Sequence, residues 1–191
     1  MTGIYIDDAH GTSIIGENGC GYALHYLECF PSTLILVSSL SKAFGAHGGC
    51  VSFHNSKAME FAKKYSHSYI FSGPPSLPGI AACVESAQIH LSNEIYELQD
   101  KLWINVTLFD ELIASKISSK EKHSPIRTIL IGDEYLAINI SGILREKGFL
   151  TTAAMYPTVP KNKSILRIAI SSSHLEEQIK NLCYEINELI Q

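Results

Sequence analysis

Positive charge is in short supply. Fifteen Lys and Arg residues against 19 Asp and Glu give a formal net charge of -4. This balance creates no basic field for a polyanion, and no Lys/Arg stripe interleaves with aromatics, so no nucleic-acid partner is expected. Cysteine is sparse and carries no pairing pattern. The five cysteines, Cys20, Cys29, Cys50, Cys83 and Cys183, form neither a CxxC pair nor a metal-ligand rhythm, and an odd number cannot all pair within one chain. They fit a reducing, cytoplasmic setting. No uninterrupted apolar run reaches bilayer-spanning length, and the first residues lack the basic and apolar regions of an export signal, so no membrane partner is expected. Internal repeats and low-complexity tracts are also missing. What remains is a globular balance of 191 residues, 46% hydrophobic and 18% charged, enough to bury a substantial core.

The pattern predicts an α/β chain. Ile4 to Ile6 reads as a short strand ending on acids, Gly16 to Gly21 as a glycine-rich loop, and Thr33 to Ser39 as a buried strand. Gly48 to Phe53 reads as another strand, and Ser56 to Lys64 as a helix capped by Asn55 or Ser56. After the helix-breaking run Ser72 to Gly79, apolar residues recur at helical spacing from Ile80 to about Ser115, as one long or broken helix. Ser118 to Ser124 is the most polar stretch and reads as a linker. Beyond it lie a strand (Ile126 to Ile131), a helix (Asp133 to Lys147), two strands (Leu150 to Met155 and Ile165 to Ile170) and a closing helix (His174 to Ile190) that Ser173 can cap. Two domains are expected: 1–117, the lysine-bearing part with the long helix, and 118–191, a small α+β unit with antiparallel potential.

Lys42 is the most informative residue. It lies in Ser38-Ser39-Leu40-Ser41-Lys42-Ala43-Phe44-Gly45, just past a strand, and is preceded by Asp7-Asp8-Ala9-His10-Gly11 at the end of another. An amine that can hold an aldehyde as a Schiff base and a carboxylate that can keep a pyridine nitrogen protonated are the two groups that pyridoxal phosphate requires. Strand ends are where open α/β sheets place ligands. Ser39 and Ser41 supply hydroxyl donors, and Gly45, Gly48 and Gly49 let backbone approach a phosphate closely. Asp7 and His10 are also types that bind metal, but no third ligand at a metal-site spacing accompanies them. Arg167 stands in the apolar run Ile165-Leu166-Arg167-Ile168-Ala169-Ile170, where it needs a partner: a substrate carboxylate, or an internal ion pair with Glu134 or Glu146.

Read in order, Asp-Asp-Ala-His-Gly, Ser-Leu-Ser-Lys-Ala-Phe-Gly and Leu-Arg-Ile-Ala-Ile-Ser-Ser-Ser-His resemble the motifs of the α-oxoamine synthases. These are fold type I pyridoxal phosphate enzymes of the aminotransferase class I/II fold. The resemblance runs from Ile4 to the last helix but corresponds to the carboxyl-terminal half of family members, which are roughly twice this size. It implies part of a large, mostly parallel-sheet domain followed by a small α+β domain. It implies that Lys42 is the Schiff base lysine and general base, that Asp7 pairs with the pyridine nitrogen, and that His10 contacts the ring oxygen. Ser39 resembles a residue near the cofactor phosphate, Ser72 part of a loop reaching the phosphate of the neighbouring subunit, and Arg167 the arginine that binds the amino acid carboxylate. Gly73 departs from the threonine usual after Ser72.

The implied reaction is condensation of an amino acid with an acyl-CoA, with loss of carbon dioxide and CoA. The implied assembly is a homodimer, or association with the missing amino-terminal half. A truncated, non-catalytic subunit that keeps the fold only for association is the alternative.

Overall fold

A computed structural model of the chain describes residues 3–114, 116 and 124–190. The chain divides into two compact units, Met1–Gln99 and Asp100–Gln191. The boundary expected at 117/118, and most of the linker expected at 118–124, fall outside the described residues.

The first unit is built on a three-stranded sheet in the order β1-β2-β3. Its strands are β1 (Ile4–Asp7), β2 (Leu34–Ser39) and β3 (Gly49–Phe53). β1 and β2 are parallel, with Ile4 opposite Leu34 and Asp7 opposite Val37, whereas β3 returns antiparallel to β2. Alternation in β2 buries Leu34 and Leu36 while their neighbours remain part-exposed. The helices of this unit are α1 (Gly21–Tyr26), α2 (Ser56–Tyr65), α3 (His67–Ile70) and α4 (Leu77–His90). Asn55 caps α2 by accepting from Ala58 N at 2.9 Å, and Ser76 caps α4 by accepting from Gly79 N at 3.3 Å; such side-chain acceptors satisfy amides that a helix start leaves unpaired.

The glycine-rich segment is more ordered than a loop. It contains a single 3-10 turn over Glu17–Gly19 and leads directly into α1. The long helix is two helices, because α4 ends at His90 and α5 (Glu94–Ile113) begins after a break at Leu91-Ser92-Asn93. Apolar spacing continues across this break and so conceals it. Along α5, Ile95, Leu102, Val106, Phe109 and Ile113 are buried, a single stripe at helical period.

The second unit pairs an antiparallel sheet with helices. Its strands are β4 (Ile126–Gly132), β5 (Thr152–Ala154) and β6 (Ser164–Ala169), in the order β4-β6-β5. α6 (Glu134–Glu146) starts at the cap Asp133, whose Oδ1 accepts from Leu136 N at 2.8 Å. It buries Ala137, Ile140 and Leu144 and packs on all three strands. α7 (Glu176–Leu189) buries Ile179, Cys183 and Ile186 at the same period. Ser173 does not cap it. The helix starts later, at cap residue Leu175, whose N–H is taken by Gln178 Oε1 at 2.9 Å.

Candidate active site

Because β1 and β2 run parallel, the loops leaving them emerge at one edge of the sheet. This edge receives Asp7 and His10 from β1, and Ser39 and Lys42 from β2. Lys42 lies in a turn closed by Gly45 N donating to Lys42 O at 2.9 Å. Its side chain is exposed, and its ammonium makes no hydrogen bond or ion pair among the described residues. Ser39 Oγ lies 3.3 Å from Ser41 Oγ, so two hydroxyls sit together at the start of the same turn. Asp7 is exposed, and its Oδ1 accepts from Ala9 N at 3.0 Å. This bond orients the carboxylate without burying it.

Asp8, one residue on, is structural. It is buried, and its Oδ2 accepts from Ala23 N at 3.0 Å at the start of α1. Burial pushes its carboxyl above the usual range, bonds from the Ala23 and Tyr22 amides oppose this, and repulsion from Asp7 adds a smaller upward push. Asp8 therefore fixes the loop that carries His10, while Asp7 faces outward. Gly11 completes the arrangement, since a Cβ there would collide with the Asp8 carboxylate and stand 2.7 Å from Tyr22 Cδ2. Gly11→Ala is expected to destabilise the first unit by about 2 kcal/mol through overpacking, read as a lowered thermal midpoint. An unchanged midpoint would show that the loop yields freely.

Ser72 is exposed just past α3, and its hydroxyl donates back to Tyr69 O at 2.9 Å. Arg167 belongs to the second unit. It sits in the central strand β6, with Thr128 of β4 and Thr152 of β5 in register on either side. Ser164, Leu166 and Ile168 are buried in alternation with it, so Arg167 occupies the face opposite the core and is only half-buried. The internal ion pair to Glu134 or Glu146 is not formed, and among the described residues no acceptor engages this guanidinium.

The arginine that is truly buried is Arg127, which sequence reasoning passed over. It is 2% exposed and forms a two-pronged pair with Asp110, Nε to Oδ1 at 2.5 Å and Nη2 to Oδ2 at 2.7 Å.

The sequence matches the family model described as aminotransferase class I and II over residues 3–186. The chain belongs to that family. The 8-amino-7-oxononanoate synthase of Photobacterium profundum is 33% identical over 190 residues, covering 98% of this chain and 46% of that protein. A solved 8-amino-7-oxononanoate synthase from Francisella tularensis superposes with a TM-score of 0.77 at 29% identity, over 96% of this chain and 53% of its own. The serine palmitoyltransferase of Sphingomonas wittichii gives a TM-score of 0.85 at 20% identity, over 98% of this chain and 47% of its own, a likeness of fold. 8-Amino-7-oxononanoate synthases belong to the group that the three motifs resemble. The fold is that of the carboxyl-terminal part of a fold type I transferase. The chain spans about half the length of the curated relatives it matches. No helix among the described residues is long and apolar enough to cross a membrane.

Proposed function

We propose that this chain carries the cofactor-anchoring half of a pyridoxal phosphate-dependent acyltransferase that condenses an amino acid with an acyl-CoA, releasing carbon dioxide and CoA. The observation that carries the reading is that the segments bearing Asp7 and Lys42 leave the same end of a parallel strand pair, β1 and β2. The residues there suit the cofactor. A Cβ built at Gly45 or Gly48 meets nothing within 4 Å, the paired hydroxyls of Ser39 and Ser41 can donate to a phosphate, and Lys42 and Asp7 offer an uncommitted amine and an outward carboxylate. Bound there, the cofactor would supply an electron sink for negative charge on the substrate α-carbon.

Each residue then has a task that its own chemistry allows. Lys42 Nζ anchors the cofactor aldehyde and, when free, is the base beside the substrate α-carbon. The Asp7 carboxylate holds the proton on the ring nitrogen through a charge-assisted hydrogen bond. His10 donates toward the ring oxygen, Ser39 toward the phosphate, and Ser72 toward the phosphate site of a neighbouring subunit. Arg167 grips the amino acid carboxylate with its planar fork, from a strand position flanked in register by Thr128 and Thr152.

The assembly is a homodimer, or a complex with a polypeptide that supplies the other half of the fold, in the cytoplasm. Supporting this, β1 has a strand on only one side among the described residues, and Ile4 and Tyr5 on it are exposed. Unpaired strand edges with apolar side chains are surfaces that natural proteins cover.

The test is release of CoA thiol by the full polypeptide carrying this chain, given pyridoxal phosphate, a small amino acid and an acyl-CoA. Thiol release that needs all three is expected. A cofactor-loaded polypeptide that releases none with alanine, glycine or serine would overturn the reading. Arg167→Ala is expected to raise KM for the amino acid by about 100-fold, the loss of a bidentate charge-assisted contact, with a much smaller effect on kcat. Arg167→Lys should fall between the two, because an ammonium keeps the charge and loses the fork.

A further inference from the structure

The loop that bears Lys42 and the loop that bears His10 are held by the same helix. Along α4, Cys83, Ser86 and His90 fall at i, i+3 and i+7, one stripe of the helix surface. Each engages the Lys42 loop. Cys83 Sγ donates to His47 O at 3.7 Å, Ser86 Oγ donates to Phe44 O at 2.5 Å, and the Phe44 ring tilts against the His90 ring with centroids 4.7 Å apart. His90 also reaches the other loop, its Nε2 lying 2.8 Å from Ser13 Oγ.

The tautomer follows from the partners. His90 Nδ1 lies 2.7 Å from the Ser86 carbonyl, which can only accept, so Nδ1 carries the proton. In the neutral ring, Nε2 is then the acceptor and the Ser13 hydroxyl the donor. Ser13 is itself locked. It is a buried non-glycine residue at φ 76°, its N–H donates to Gly19 O at 2.8 Å, and its carbonyl accepts from Gln99 Nε2 at 3.1 Å. Gly19 leaves room for the ring, since a Cβ there would lie 2.7 Å from His90 Cδ2. A buried histidine with both nitrogens matched, packed on a loop aromatic two residues beyond Lys42, is more organised than packing alone demands.

We propose that Ser86 and His90 are positioning residues that lock the Lys42 turn to the Asp7–His10 loop, so that the amine and the carboxylate keep a fixed separation. The part of this that concerns the cofactor rests on the function proposed above; the locking of the two loops does not. Neither residue touches a reacting atom. Ser86 acts through the Phe44 carbonyl, and His90 acts through the Phe44 ring and Ser13.

The experiment compares the full polypeptide carrying this chain with its Ser86→Ala, Ser86→Thr and Ser13→Ala variants. The first readout needs no cofactor: amide hydrogen exchange at Leu40, Gly45 and Ala46, whose N–H groups donate to Gly48 O, Lys42 O and Leu40 O. Ser86→Ala is expected to speed exchange at these amides by about tenfold, the worth of one hydrogen bond, with β2 unaffected, and Ser86→Thr to restore it. Ser13→Ala removes the other end of the lock, and should speed exchange in the His10 loop by a similar factor. The second readout is the pH midpoint of the visible band formed with pyridoxal phosphate, expected to move in Ser86→Ala and return in Ser86→Thr. Exchange within twofold of wild type in both alanine variants would overturn the lock, whatever the spectrum. Faster exchange with no visible band in wild type would sustain the lock and sink the cofactor reading. Faster exchange with a band whose midpoint does not move would overturn the positioning role.

Discussion

Replacing Lys42 with alanine is expected to abolish the visible absorbance of the cofactor-loaded polypeptide and to lower turnover by about 10³-fold or more, while leaving the thermal midpoint within a degree or two. The chemical loss is large because one amine has two tasks, covalent anchor and proton acceptor, and general bases alone are worth 10²–10⁴ in rate. The structural loss is small for a reason visible in the fold. The Lys42 side chain is exposed and has no partner among the described residues, and the bond that closes its turn, from Gly45 N, goes to the Lys42 carbonyl, which alanine retains. Borohydride reduction of the wild-type complex followed by peptide mass analysis should find the cofactor on Lys42 alone. A variant that stays yellow and active would remove Lys42 from the role. A variant that loses colour together with its thermal midpoint would show that the turn depends on the side chain.

Much of this site could be read from residue order, because the chemistry resides in short motifs next to strand ends. Asp7 and Ser39 close strands that their apolar runs announce, His10 and Lys42 follow those strands, and Asn55 precedes its helix as an expected cap. What escaped reading depended on partners distant in sequence. Asp8 reads from its motif as structural or solvent-facing, and the partner that makes it structural lies at the start of α1, fifteen residues later. His90 had no recognisable pattern, because its partner Ser13 lies 77 residues upstream. The two arginines in apolar strands were the hardest case. Arg127 and Arg167 have similar neighbours, but strand parity sends Arg127 into the core and Arg167 to the opposite face. Parity relative to a core is set by register, and register is not written in one strand. The Cys83-Ser86-His90 stripe is legible as a helical spacing of polar residues along α4.

The second large effect concerns Arg127. Asp110→Ala is expected to destabilise the second unit by about 3 kcal/mol, toward the low end of what breaking a buried ion pair costs. The low end applies because Arg127 is 2% exposed but the Asp110 side chain is 39% exposed, so water already screens one partner. The guanidinium would keep its contacts to the carbonyls of Ser124 and Ile126, yet its charge would lack a counterion inside the core. Trp103, the single tryptophan, lies on α5 within this unit, so its fluorescence reports this transition directly. The thermal midpoint of this unit should fall by roughly 12–24 °C. Replacing both partners, Asp110→Leu with Arg127→Met, should recover most of the loss, since apolar side chains of similar volume often match a buried pair. This recovery separates an orphaned charge from a mere cavity. The effect should reach the site as well: Thr128, next along β4, is in register with Arg167. Asp110→Ala should therefore raise KM for the amino acid at temperatures well below its own midpoint, and the double replacement should bring it back. A fall of less than 1 kcal/mol, or a double variant no more stable than the single one, would mean that the pair is not what anchors β4 beside Arg167.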